Sequence, residues 1–174
     1  MARDRGRARG AGLKTLLAGL LLLLATTAGA QAAERIVSIG GAVTEIVYAL
    51  GAEGRLVAVD STSTWPFEAG SLPNVGYMRR LSAEPIVAMA PDLVIAVEGS
   101  GPDSALAQLR EAGVRVETVP EAYDANGVVA KVERVAVLLG KQAEGAKLAQ
   151  TVRSRMAAVE RQVAATKERP RVLF

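Results

Sequence analysis

Four short apolar runs, at residues 35–39, 56–59, 93–97 and 114–119, are separated by stretches whose apolar residues recur at helical spacing. Strands alternating with helices read as an α/β fold, a parallel sheet with crossover helices, because parallel neighbours need a connection long enough to hold a helix. The run at 93–97 is apolar at every position, as in a strand covered on both faces. The spacing predicts a helix over 44–50 ending at Gly51, and one from Ser82 as N-cap to Ala90, stopped by Pro91. Further helices are predicted over 103–112 and over 124–139. Asp124 caps the second of these, and Val128, Val132, Val135 and Leu139 share one face of it. A last helix over 142–167 carries a narrower stripe of Ala146, Ala149, Val152, Met156, Val159 and Val163. At ~1.5 Å per residue it is nearly ~40 Å long, enough to reach from one lobe to a second.

The ends of the chain read differently from its middle. Arg3, Arg5, Arg7, Arg9 and Lys14 precede a leucine-rich run, and Ala28-Gly29-Ala30 and Ala30-Gln31-Ala32 offer small-residue cleavage sites, so residues 1–32 read as a secretory signal peptide. The apolar run falls short of the ~18 residues that span a bilayer. Residues 1–32 carry a net +4 of the chain's +3, which leaves −1 for residues 33–174 and removes the charge argument for nucleic acid. There is no cysteine, so disulfides, thiolate metal sites and a lipid anchor on cysteine are excluded. After Pro170, Arg171-Val172-Leu173-Phe174 opens like a strand of a further lobe in a longer protein. The expected organisation is a signal peptide at 1–32, an α/β lobe at 33–140, a long helix at 141–168 and the start of a second lobe at 169–174.

Each strand is followed by a turn at its carboxyl end, where open parallel sheets place their ligands. The longest such segment, residues 60–81, contains Trp65, Pro66, Gly70, Pro73, Gly76 and Tyr77. Loops of this length in compact domains are usually functional or disordered, and the mixture of aromatic and turn residues favours an ordered binding loop. Tyr77 is its best candidate for a working atom. A phenol ionises near pH ~10, but Fe³⁺ and a nearby guanidinium both favour the phenolate, which is a known axial ligand of haem iron. In an extended loop Tyr77 and Arg79 share a side and Met78 points to the core. On spacing alone, a tyrosine after glycine is most often a surface-loop or half-buried packing residue.

Other constellations carry less chemistry. Gly40-Gly41-Ala42-Val43-Thr44-Glu45 follows a strand and opens a helix, but it lacks the third glycine of a dinucleotide fingerprint and a phosphate-binding lysine, so it reads as a tight turn. Gly99-Ser100-Gly101 reads the same way. Glu45 and Glu84 lie near helix starts, where the helix dipole favours an anion. Ser38, Ser61, Ser63 and Ser104 have no histidine base anywhere in the chain, which excludes a conventional serine nucleophile and argues against hydrolase chemistry. Zinc or manganese capture, which leans on imidazole, fails on the same ground.

The stretch from Arg35 to Ala52, with Pro91-Asp92-Leu93-Val94-Ile95, resembles the vitamin B12, siderophore and haem group of periplasmic binding proteins. Val75-Gly76-Tyr77-Met78-Arg79-Arg80-Leu81-Ser82-Ala83-Glu84 resembles the haem branch of that group, the substrate-binding components of haem ABC importers. The resemblance implies a binding protein rather than an enzyme, with two α/β lobes joined by a long helix and ferric haem b carried between them. By position it makes Tyr77 the axial iron ligand, Arg79 the cation that stabilises its phenolate, and Glu84 a carboxylate that pairs with arginines of the inner-membrane permease. It also implies an outer-membrane haem receptor upstream. Trp65 could stack on the porphyrin or anchor the loop, and Arg80 could meet a propionate or only solvent. A cobalamin or ferric-siderophore cargo on the same fold is the alternative; a nucleotide-dependent α/β enzyme is the reading from another class.

Overall fold

The computed structural model describes residues 33–166 together with 171 and 173. The signal peptide read over 1–32 lies outside the described residues, as do residues 167–170, 172 and 174. Among the described residues four strands and five α-helices follow in chain order: β1 (Ile36–Ile39), α1 (Gly41–Ala49), β2 (Leu56–Val59), α2 (Ala83–Ala88), β3 (Leu93–Val97), α3 (Asp103–Glu111), β4 (Arg115–Val119), α4 (Ala125–Leu139) and α5 (Gln142–Ala165). The strands form one parallel sheet in the order β2-β1-β3-β4. The strands stand where the apolar runs predict them, to within one residue at each end.

Alternation along the central strands divides the core into two layers. Ile36, Leu93, Ile95 and Val97 face one side, where Val43 and Val47 of α1 and Val132, Val135 and Leu139 of α4 cover them. Val37, Ile39, Val94 and Ala96 face the other, under Ile86 of α2 and Leu106 and Leu109 of α3. Covered on both faces, β1 and β3 are buried throughout, so an uninterrupted apolar run is what the geometry demands. Edge strand β4 is partly exposed, and its Glu117 pairs with Arg115 at 3.0 Å and Arg134 of α4 at 2.7 Å.

The helices depart from expectation in instructive ways. Helix α1 begins at Gly41 rather than residue 44, because the tight turn at Gly40 leads straight into it. Helix α2 ends at Ala88, short of Ala90, whose φ of 45° is incompatible with a right-handed helix. Ser82 occupies the N-cap position of α2, but its side chain makes no capping hydrogen bond. Asp124 does cap α4, accepting from Gly127 N–H at 2.6 Å. On α4 it is Val129, not Val128, that is buried.

Helix α5 packs only at its beginning. Gly145 and Ala149 are buried against α4, with Leu148 and Val152 half-buried beside the first core layer, while Ala146 points to solvent. Beyond them Met156, Val159 and Val163 are exposed. No helix among the described residues is long and apolar enough to cross a membrane.

Candidate functional site

The carboxyl ends of β1 and β2 are tied together by one carboxylate. Asp60 follows β2 directly and is 1% exposed. Its Oδ1 accepts from Gly40 N–H at 2.9 Å and Ser63 Oγ at 2.8 Å, and its Oδ2 from Thr62 N–H at 3.1 Å and Thr62 Oγ1 at 2.7 Å. Ser63 Oγ lies 2.7 Å from Thr44 Oγ1, which lies 2.6 Å from Ser38 Oγ. This chain of buried hydroxyls satisfies every polar group it contains, as burial requires. Gly41 N–H donates to Thr62 Oγ1 at 3.1 Å. The two amides that a nucleotide phosphate would need at Gly40-Gly41 are thus already engaged, so the segment is the tight turn the sequence indicates.

The loop after β2 is ordered by backbone hydrogen bonds. A short 3₁₀ turn at Phe67–Ser71 interrupts it, and Asn74 then forms a parallel bridge with Val59 on the free edge of β2. Val59 N–H donates to Pro73 O, Val75 N–H to Val59 O and Ser61 N–H to Gly76 O, each at 2.9 Å. Gly76, at φ 101°, redirects the chain as a residue with a Cβ rarely does. The next residues attach to the loop after β3: Gly101 N–H donates to Met78 O at 2.8 Å, and Leu81 N–H to Gly101 O at 2.9 Å. Tyr77 is therefore carried on a segment clamped at both ends, running from the outer edge of β2 to the end of β3, with β1 between them.

Tyr77 and Arg79 stand on one turn, both exposed, and Met78 packs on both core layers, as expected. The segment is not extended, however. Arg80 N–H donates to Tyr77 O at 2.8 Å, which closes residues 77–80 into a β-turn. The tethers to Gly101 force this reversal, and they come from a loop some twenty residues away, so local sequence does not announce it. Glu84 is exposed in the first turn of α2, on a helix held by buried Ala83 and Ile86.

The aromatic residues are distributed unevenly. Both core layers are aliphatic apart from half-buried Tyr48, whereas Trp65 and Phe67 are exposed after β2, Tyr77 is 41% exposed and Tyr123 is exposed after β4. Trp65 is 65% exposed, so it does not anchor its loop; Ala69, Leu72 and Val75 do. A cavity of about 530 Å³ opens beside this loop, lined in part by Asp60, Ser63, Thr64, Phe67, Glu68 and Leu72. Burial, then the charges of Glu68, which lines that cavity, and of Glu53, hold the phenol of Tyr48 above the ordinary value. Sequence reasoning missed Asp60 and weighed Ser38 and Ser63 of its hydroxyl chain only as nucleophiles. Their signal was the run Asp60-Ser61-Thr62-Ser63-Thr64 directly behind a strand.

A parallel sheet whose carboxyl-end loops converge on exposed aromatic and cationic side chains defines a ligand-binding α/β protein. The chain belongs to the periplasmic binding protein family, whose model matches residues 36–174. It is similar to the periplasmic haem-binding protein RhuT from Roseiflexus sp. RS-1 in apo form, at 40% identity and a TM-score of 0.76, over 79% of this chain and 52% of that one. A periplasmic haem-binding protein from Pseudomonas aeruginosa is 38% identical with a TM-score of 0.73, over 76% and 48% of the two chains. A vitamin B12-binding protein of Yersinia pestis (strain Pestoides F) is 38% identical over 99 residues, 57% of this chain and 35% of that protein. The chain thus spans about half the length of the solved structures it matches, and its match to the curated relative covers about a third of that protein's length.

Proposed function

We propose that this chain is the haem-capturing part of a periplasmic substrate-binding protein, exported by residues 1–32, that holds ferric haem b through Tyr77 and delivers it to an ABC importer. The observation that carries this reading is the exposed phenol of Tyr77 on a turn clamped at both ends at the sheet's carboxyl edge. Ferric iron is a hard cation and phenolate a hard anion, and the chain has neither imidazole nor thiolate to compete for the metal. Arg79, on the same turn, supplies the positive charge that favours the ionised phenol. The task is capture and release, with no bond made or broken in the cargo.

Residues 33–140 act as the amino-terminal lobe, 141–168 as the joint and 169–174 as the opening of a second lobe that closes over the ligand. The exposed Met156, Val159 and Val163 on α5 support such a joint, since a lone lobe gains nothing from that stripe. Glu84, exposed on α2, is the carboxylate offered to permease arginines.

A haemin titration of the full-length protein, followed optically, tests this reading. The expected outcome is a high-spin ferric spectrum with a phenolate-to-iron band. That band disappears in Tyr77→Phe, and affinity falls by roughly a hundredfold or more, ~2.7 kcal/mol. The vitamin B12-binding relatives favour a second reading, a corrinoid cargo. Cyanocobalamin bound equally by wild type and Tyr77→Phe, with haemin ignored, would select it.

A further inference from the structure

The turn at residues 77–80 changes which cations reach a ligand held by Tyr77. In an extended segment only Arg79 would share its side. The hydrogen bond from Arg80 N–H to Tyr77 O instead brings the first and fourth residues of the turn within ~7 Å at their Cα atoms. Met78 takes the inward direction, so the residues around it are left facing out.

Arg79 and Arg80 are both exposed, and among the described residues neither guanidinium enters an ion pair. Three other arginines of the sheet and its loops are engaged: Arg35 by Ala90 O, Arg55 by Leu139 O, Arg115 by Glu117. Two adjacent like charges on a turn tethered to Gly101 repel each other mildly in the empty protein. They complement a ligand that brings carboxylates of its own.

We propose that Arg80 is a specificity-determining residue that pairs with a peripheral carboxylate of the macrocycle, selecting a dicarboxylate porphyrin over an amide-fringed, uncharged corrin ring. The inference rests on the haem-binding reading above and divides the labour within it. Tyr77 selects the metal, Arg79 tunes the phenolate and Arg80 reads the rim. A guanidinium meeting a carboxylate in a partly exposed cleft forms a charge-assisted, often bidentate, hydrogen bond, which lysine reproduces only in part.

The test compares wild-type, Arg80→Gln and Arg80→Lys full-length proteins, each titrated with haemin, with the dimethyl ester of haemin and with cyanocobalamin. Tryptophan fluorescence and the visible spectrum report binding. Arg80→Gln is expected to weaken haemin about tenfold and to leave the ester unchanged. Arg80→Lys recovers part of the loss, more at low salt than at high. The phenolate-to-iron band of saturated Arg80→Gln stays where it is in wild type, because the iron is held elsewhere. Haemin affinity unaltered by Arg80→Gln, or lost equally for haemin and its ester, overturns this inference while leaving the tyrosinate reading intact. Wild-type protein that ignores haemin, or that binds cyanocobalamin more tightly, overturns both.

Discussion

Asp60 shows how much one buried side chain can organise. Four donors converge on its two oxygens, and through them the turns after β1 and β2 become one rigid rim beneath the loop that carries Tyr77. Asp60→Asn keeps the shape but turns an NH₂ toward groups that themselves donate. It is expected to cost about 2–4 kcal/mol, read from urea denaturation. A loss under ~0.5 kcal/mol would mean the hub is not rigid. Tyr48 bears on pH. Its folded-state phenol sits above the ordinary value, so the unfolded chain releases that proton first as pH climbs past about 10. Stability is retained below that point and falls through the alkaline range above it, and Tyr48→Phe should flatten the fall. Among single residues, Tyr77 and Arg79 were marked out in the sequence by type and by resemblance, and the fold leaves both exposed on one turn. Asp60 was not, because an acidic residue after a strand looks like any solvated loop residue until its donors are known.

Elements are fixed here as much by what crosses between loops as by their own propensities. A Cβ on Gly41 would lie 2.7 Å from Thr62 O, so the first turn of α1 and the loop after β2 can touch only through glycine. Gly41→Ala must push that backbone aside, breaking the bonds from Gly41 and Gly40 to Thr62 and Asp60. The expected cost is about 1–3 kcal/mol. Hydrogen exchange at residues 60–64 should speed up with it; unchanged protection there would show that the two loops move independently. Helix α2 teaches the complementary lesson. Ser82 and Glu84 mark its start in sequence, yet the bonds from Leu81 and to Met78 through Gly101 set the entry to that helix, and the serine side chain is left without a capping role. The extended loop expected around Tyr77 became a turn for the same reason.

The whole molecule presents two kinds of apolar surface. Leu139, buried under the sheet, belongs to a finished core, and Leu139→Ala should cost about 2–5 kcal/mol. Val159 of α5 is 55% exposed. In the 174-residue chain Val159→Asp should stay within about 0.5 kcal/mol, as exposed positions do. In the full-length protein, where the second lobe is proposed to cover it, the same change should cost about 2 kcal/mol, since a buried unpaired carboxylate is expensive. Equal, small effects in both proteins would sink the assignment of α5 as the joint between lobes. What the chain's own order of residues determined was the α/β class, the four strands and most of the helices, because burial on one or two faces writes a period directly into the sequence. The strand order, the pairing of Asp60 with Gly40, and the reversal that sets Arg80 beside Tyr77 were decided only in three dimensions. Each depends on a partner twenty or more residues away, and a hydrogen bond across that distance leaves no period to read.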